Sequence, residues 1–402
     1  MVREYKDSGI TWIGSIPKEW KTERIKALFS ERNERDCQGK TLLSVSQYFG
    51  IRPKSETDLA DSHIAESYDD YKEVRKGDFV MNIMLAWNGS YAVSDYDGIV
   101  SPAYCVFKFR KDCCKKYFHY LLRTDGYPSA FKTMSRGVID SRLRLYPEQF
   151  YTFPVIIPSV DEQQRIADYL DKKCAEIDGL IELQEQMIAQ LTDYKQSVIT
   201  EAVTKGINPD AQLVPLGIDS IGDVPEEWKV CQLKRFLLFQ NGQDYKEIEV
   251  KEGDGFPVYG SGGIFTYAER YMYDGESVLF GRKGTVNRPL YVNCKFWTVD
   301  TMYYTIPKKD VNCKFMYYVA TTLPFDKYST STALPSMTQT ILGNLKVAIP
   351  AKDEQSVIVE YLDKKCGEID NLIAVKQQKI ETLKEYKKSI IFECVTGKKE
   401  IN

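Results

Sequence analysis

Six cations stand out in a chain that is otherwise slightly acidic. Arg136, Arg142 and Arg144 crowd one short stretch, and Arg282, Lys283 and Arg288 crowd another. A guanidinium is a planar fork of donors that matches the O6/N7 edge of guanine or two phosphate oxygens, and a lysine ammonium meets the same groups as a point charge. With 54 Lys and Arg against 57 Asp and Glu, the net charge of −3 counts against nucleic-acid binding by the chain acting alone. Local clusters leave it open, because only a groove-facing surface has to be basic.

Self-contained catalysis has little support. An adenine methyltransferase needs a glycine-rich cofactor loop after a first strand and an Asn-Pro-Pro-aromatic type of site; neither occurs, and Asn208-Pro209-Asp210 reads as a turn. There is no G-x-x-x-x-G-K-[ST] for ATP, no H-E-x-x-H for zinc and no G-x-S-x-G for a serine nucleophile. Asp7 with Glu19-Trp20-Lys21, and Asp219 with Glu227-Trp228-Lys229, resemble the acid-acid-lysine set of metal-dependent nucleases. Such short patterns arise by chance, and exposed charges flanking a packed tryptophan are the plainer reading. The ten cysteines form no C-x-x-C, and only His63 and His119 could assist a metal, so buried thiols are expected. No run of about 18 apolar residues and no apolar leader after MVREYKDSG is present, which points to a cytoplasmic protein without a membrane span.

The elements that must position the cations are written twice. Asp161–Asp178 (DEQQRIADYLDKKCAEID) returns as Asp353–Asp370 (DEQSVIVEYLDKKCGEID), 13 of 18 identical at an offset of 192. Gly9–Trp20 returns as Gly217–Trp228, 7 of 12 identical at an offset of 208. Between the echoes lie Lys21–Pro158 and Lys229–Pro350, 138 and 122 residues that hardly align. A tandem duplication of this kind favours a pseudo-two-fold frame, here carrying two different inserts.

The repeated segments read as helices. Ile166, Leu170, Ile177, Leu180, Ile181, Met187, Ile188, Leu191, Tyr194 and Val198 fall at three- and four-residue steps. Ile358, Leu362, Ile369, Leu372, Ile373, Ile380, Leu383, Tyr386 and Ile390 do the same. Acids open each segment, and Gly206 and Gly397 close them. About 40 residues make a rod of roughly 60 Å, and two such rods can bury their stripes on each other as an antiparallel coiled coil. Ile166, Leu170, Ile177 and Leu191 of one helix and Ile358, Leu362, Ile369 and Leu383 of the other are expected to form the helix-pair interface, with Gln184 and Lys376 either fixing register at the seam or simply solvated. The inserts read as mostly-β or α+β, with strands near 78–85, 103–109, 277–280 and 302–306 and short helices near 114–124 and 313–322. The expected class is α+β, with boundaries at 1–158, 159–206, 207–350 and 351–402.

At these residues the chain resembles the specificity subunits of type I restriction-modification enzymes. The resemblance covers essentially the whole length. It rests on the helix openings IPSVDEQQRIADYLD and IPAKDEQSVIVEYLD, on IGSIPKEW and IGDVPEEW, and on two recognition-domain patterns: FVMNIMLAWNGSYAVSDYDGIVSPAYCVFK (79–108), and YGSGGIFTY (259–267) with VLFGRKGTVNRPLY (278–291). It implies that residues 1–158 and 207–350 are target-recognition domains, each reading one half of a split, asymmetric double-stranded DNA site. The helices would set the unread gap, with half-site centres roughly 34 Å apart, and dock two modification subunits. Those partners would bring S-adenosylmethionine, and two motor-nuclease subunits would use ATP and Mg; this chain would hold no cofactor or metal and catalyse nothing. Candidate readers are then Asn82, Trp87, Asn88, Arg136, Arg142 and Arg144 in the first domain, and Ser261, Arg282, Lys283, Thr285, Asn287 and Arg288 in the second. Gly260, Gly262 and Gly263 suit a hairpin turn better than a phosphate cradle, and Trp12, Trp20 and Trp228 suit core packing. A coiled-coil adaptor that binds only protein remains the alternative, although it leaves two unlike inserts on one frame without a purpose.

Overall fold

The computed structural model describes residues 3–35, 39–47, 50–57, 68–139, 142–218, 221–328 and 335–401; Cys37, His63 and Asp219 lie outside them. The chain divides into two compact units, residues 1–183 with 379–402, and residues 184–378. Both are α+β. Among the described residues no helix is long and apolar enough to cross a membrane.

Two long helices, Val160–Lys205 and Lys352–Val395, carry the repeat. Acids in each first turn favour the positive end of the dipole, and Gly206 and Gly397 follow the ends with φ of +74° and +72°, which an L side chain rarely adopts. In the first unit, Ile166, Leu170 and Ile177 are buried in one core with Ile390, Cys394 and Val395 of the second helix, and Leu383 packs at its edge. In the second unit, Val198 and Ala202 share a core with Ile358 and Leu362; Ile369 is buried and Leu191 half-buried. Gln184 is buried and Lys376 half-buried.

Direction follows from the ties. In the second unit Lys195 Nζ donates to both Asp370 oxygens at 2.7 Å, and Lys376 Nζ reaches Met187 Sδ at 3.4 Å. Numbers fall along one helix as they rise along the other, so the segments run antiparallel. In the first unit Lys387 Nζ holds both Asp178 oxygens at 2.7 Å, and Lys399 lies 5.8 Å from the Tyr169 ring. Asp178 and Asp370 are repeat mates, as are Lys195 and Lys387. These exposed pairs are worth about 0–1 kcal/mol each, whereas each buried Ile or Leu contributes about 1.5–3 kcal/mol. Burial holds the seam; the ion pairs fix its register.

The DEQ triplet that opens each helix explains why that sequence is repeated. Glu162 accepts from Trp20 Nε1 at 2.9 Å and from the Arg3 guanidinium at 2.6 Å; its mate Glu354 accepts from Trp228 Nε1 at 3.2 Å. Gln163 and Gln355 are both buried and use both ends of their amides. Gln163 donates to Pro158 O (2.9 Å) and accepts from Cys114 N (3.0 Å); Gln355 donates to Pro350 O (3.0 Å) and accepts from Asn312 N (2.7 Å). About two turns further on, Asp171 accepts from Tyr120 Oη at 2.8 Å and from Lys116, and Asp363 accepts from Tyr318 Oη at 2.6 Å and Lys314 Nζ at 2.7 Å.

The inserts share more than their sequences suggest. In the first unit, strands Phe29–Arg32, Tyr104–Phe109, Phe79–Asn82 and Tyr91–Val93 make an antiparallel sheet in that order. The second unit has a seven-stranded sheet that begins Leu237–Asn241, Met302–Pro307, Tyr273–Gly281, Leu290–Thr298 in the corresponding order. It is extended by Phe256–Gly260, parallel to the last of these, then by Gly263–Ala268 and Glu249–Val250. Register corresponds too: Phe29 faces Phe109 as Leu237 faces Pro307, and Tyr104 faces Asn82 as Met302 faces Gly281. Helices Lys115–Leu122 and Cys313–Ala320 follow, and Pro154–Ile157 and Lys346–Ile349 return beside Lys21–Arg24 and Lys229–Gln232. One scaffold is therefore repeated beneath sequences that do not align.

Two outcomes are expected. Glu162→Ala strands the Trp20 N–H and leaves Arg3 with Glu19 as its carboxylate partner; it should cost about 1–3 kcal/mol of first-unit stability, more than Glu354→Ala costs the second unit, as resolved by calorimetric unfolding of the two variants. The second concerns His119, whose Nδ1 accepts from Val93 N at 3.3 Å; burial, with Arg123 beside it, pushes its pKa down to about 4. The unfolded imidazole titrates near 6.5, so its contribution is whole above pH of about 6.5 and is lost as pH falls towards about 4. His119→Gln should flatten melting temperature against pH in that window, and an unchanged slope would place the titrating group elsewhere.

Candidate nucleic-acid interface

Strand Phe79–Asn82 ends in a turn built by its own amides. Asn82 Oδ1 accepts from Met84 N (3.0 Å), Trp87 Nε1 donates to Met84 O (3.1 Å), and Asn88 Oδ1 accepts from Ser90 N (3.2 Å) and Ser90 Oγ (2.7 Å). Asn82 is only 5% exposed. Its buried amide, whose oxygen caps the turn, is not a group displayed on the surface, which departs from the expectation that it would read a base edge. Trp87 and Asn88 are half-buried, and Lys132, from helix Gly126–Met134, lies 5.1 Å from the Trp87 ring. Sequence reasoning missed Lys132, because no local pattern links it to position 87.

The arginines come from a hairpin that leaves the same helix. Arg136 N donates to Arg144 O and Arg144 N to Arg136 O, both at 2.9 Å, and Leu145 N then bonds Ile83 O at 2.9 Å. The structure thus brings the two predicted groups of the first domain together at one edge, Trp87 and Asn88 on one loop and Arg136, Arg142 and Arg144 on the other. Arg136 and Arg142 are exposed and Arg144 is half-buried.

The second unit uses the corresponding strand end. Past Gly281, the counterpart of Asn82, Arg282, Lys283, Thr285, Asn287 and Arg288 are all exposed, while Val286 is buried and pins the loop. A side chain at position 281 would meet Thr285 O at 2.2 Å, so only glycine lets the loop fold back there. Arg282 Nη1 donates to Asp300 O at 3.3 Å. The companion segment is 335–337: Gly284 N donates to Pro335 O (2.9 Å) and Met337 N to Arg282 O (3.0 Å). Met337 is Leu145 shifted by the same 192 residues that separate the helix copies. That offset, followed backwards from the helices, was the available sign of this segment.

Ser261 is half-buried in a two-residue turn between the paired Gly260 and Gly263, as the glycines suggested. It is tied to the Arg282 loop through one turn, since Val299 N donates to Tyr259 O and Arg282 N to Thr301 O.

The acid-acid-lysine pattern is used otherwise. Asp7 Oδ1 accepts from Gly9 N at 3.0 Å and Glu19 pairs with Arg3 at 2.6 Å. Among the described residues no group of three or more His, Cys, Asp and Glu could hold a metal.

A model of the type I restriction modification DNA specificity domain matches residues 17–193 and 225–385. The chain belongs to this family. It is 22% identical to the type I restriction enzyme MjaVIII specificity subunit of Methanocaldococcus jannaschii, across 95% of this chain and 93% of that one. It is 25% identical to the putative MjaX specificity subunit of the same organism, across 99% and 98%. Its fold is similar to a chain solved in work on complex assembly and conformational transition of the type I R-M system (TM-score 0.72, 17% identity, 95% and 99% covered). It is also similar to the HsdS subunit from Thermoanaerobacter tengcongensis (TM-score 0.52, 16% identity, 95% and 98% covered). The two matched segments of the specificity-domain family each contain one of the loop pairs described here.

Replacing Arg282 and Lys283 together by Ala should weaken recognition of one half of a split DNA site by about 1–3 kcal/mol per lost base contact while leaving the other half intact. Competition binding with singly mutated half-sites separates this from a uniform loss across sequences, which would put both side chains on phosphates.

Proposed function

We infer that this chain is the DNA sequence-reading subunit of a type I restriction-modification complex and is itself non-catalytic. The observation that carries the reading is the pair of unlike residue sets on corresponding loops of a duplicated scaffold. One set offers Trp87, Asn88 and three arginines; the other offers Arg282, Lys283, Thr285, Asn287 and Arg288. A palindrome would need the same set twice, so an asymmetric, bipartite target suits this pair.

On this reading each unit takes one half-site, through arginine or lysine to guanine and phosphate and through amide or hydroxyl groups to other edges. The helix pair fixes the gap and docks the modification subunits, one on each copy of the repeat. Matching exposed apolar residues support that docking. The first unit displays Leu180, Leu183 and Tyr386, and the second displays their repeat mates Leu372, Val375 and Tyr194. The modification subunits would bring S-adenosylmethionine and the pocket for a flipped adenine, and motor-nuclease subunits would bring ATP and Mg, all in the cytoplasm.

The deciding experiment is single-molecule sequencing of adenine methylation in cells expressing this chain with its modification subunit, against cells lacking this chain. A split motif that appears only with the chain is the expected result, and gives both half-sites and the gap. Methylation at the same sites without it, or none at all, removes the recognition role and favours a protein adaptor.

A further inference from the structure

The hairpin between Arg136 and Arg144 exposes apolar side chains where a loop would ordinarily be polar. Val138 is 98% exposed and Ile139 53% exposed. The hairpin is pinned at its stem by the two Arg136–Arg144 backbone bonds, at its tip by Arg142 N to Ile139 O (2.8 Å), and below by Leu145, which is fully buried. Gly137 adopts φ of +148°, and a side chain there would meet Arg142 O at 2.5 Å, so glycine is what allows the two arms to close. A held apolar tip keeps Val138 and half of Ile139 in water, an exposure that burial against a partner would relieve.

Charge identifies the occupant. The tip is flanked by the exposed Arg136 and Arg142, with Arg144 in the stem, against a single acid in the loop sequence, Asp140. A protein partner's apolar pocket gives no reason for that cationic surround; a stack of base pairs between two phosphate chains does. Proteins that kink DNA use this combination, an apolar side chain entering a base step with arginines on the adjoining phosphates. The tip also continues the candidate interface, because Leu145 N ties the hairpin to the Trp87 loop through Ile83 O.

We propose that Val138 and Ile139 are an apolar wedge that enters one base step of the half-site read by the first unit, unstacking and kinking the DNA there. The proposal rests on the reading of this chain as the DNA-recognition subunit. It adds a contact whose specificity comes from how easily a step unstacks rather than from hydrogen bonds, so flexible pyrimidine–purine steps are favoured at that position.

The test uses the full chain in complex with its modification subunits, and duplexes of the methylated motif with 2-aminopurine placed in turn along the first half-site. The wild-type complex should raise fluorescence several-fold at one step other than the methylated adenine. The Val138→Ser/Ile139→Ser double variant, which leaves the stem and Gly137 intact, should lose that rise, keep the rise at the target adenine, and bind the site about tenfold more weakly. Val138→Leu/Ile139→Leu should restore both. The wedge is overturned if only the target adenine responds, if the second rise survives in the Ser variant, or if that variant fails to assemble with modification subunits in the absence of DNA, which would make the tip a protein contact. A wild-type complex with no preference for any split site overturns the recognition reading, and the wedge with it.

Discussion

The molecule turns on a buried amide used twice. Gln163 and Gln355 each join the proline carbonyl before a long helix to the backbone N–H that opens the short helix of the neighbouring sheet domain. A buried amide with one end unsatisfied costs about 1–3 kcal/mol, so the contact is made fully or is strongly penalised. The neighbouring glutamate anchors the tryptophan of the opening segment, and the aspartate at 171 or 363 holds a tyrosine and a lysine of the short helix. Two polar contacts on the first turn and a third about two turns later thus orient each sheet domain on its helix. The variable loops inherit their positions from that joint.

The glutamine, tryptophan and aspartate contacts of the joint recur in both copies, while the units differ in the three strands that extend the second sheet and at the strand ends. The strand closing at Asn82 and the one closing at Gly281 occupy corresponding places, but one continues into an amide-capped turn and the other into a cationic loop folded back over a glycine. The partner segment differs as well, a pinned arginine hairpin in one unit and residues 335–337 in the other. A reader of two unlike half-sites needs this separation, in which the parts that specify position are shared and the parts that specify sequence are not.

Much of this was legible from the residues. The helices and their ends followed from apolar spacing, first-turn acids and two glycines, because helix periodicity is a local property; the antiparallel direction was expected from the tandem repeat instead. The cation groups picked out by residue type and by the family resemblance fall on loops beside corresponding strand ends of the two units, Arg136 to Arg144 beside Ile83 and Arg282 to Arg288 past Gly281. Asn82 was misjudged because an asparagine that caps a turn and one that faces a groove have the same neighbours in sequence; only burial separates them. The repeated sheet order was invisible for a related reason: strand pairing depends on backbone register, which Phe29 against Phe109 and Leu237 against Pro307 satisfy with different side chains. Lys132 over Trp87 joins residues 45 apart in sequence, and no periodicity reports such a pair.

The two units also differ in continuity along the chain. Residues 184–378 are one uninterrupted stretch, whereas the core of the other unit is completed by Ile390, Cys394 and Val395. During synthesis the second-encoded unit therefore has all its parts first. The earlier one waits while the ribosome adds 195 residues, about 10–40 s at ordinary elongation rates, with Ile166, Leu170 and Ile177 lacking their final cover. Nascent chains of this protein carry an apolar groove that their own C-terminal helix closes last, which makes that interval the period of greatest exposure to aggregation and to chaperones.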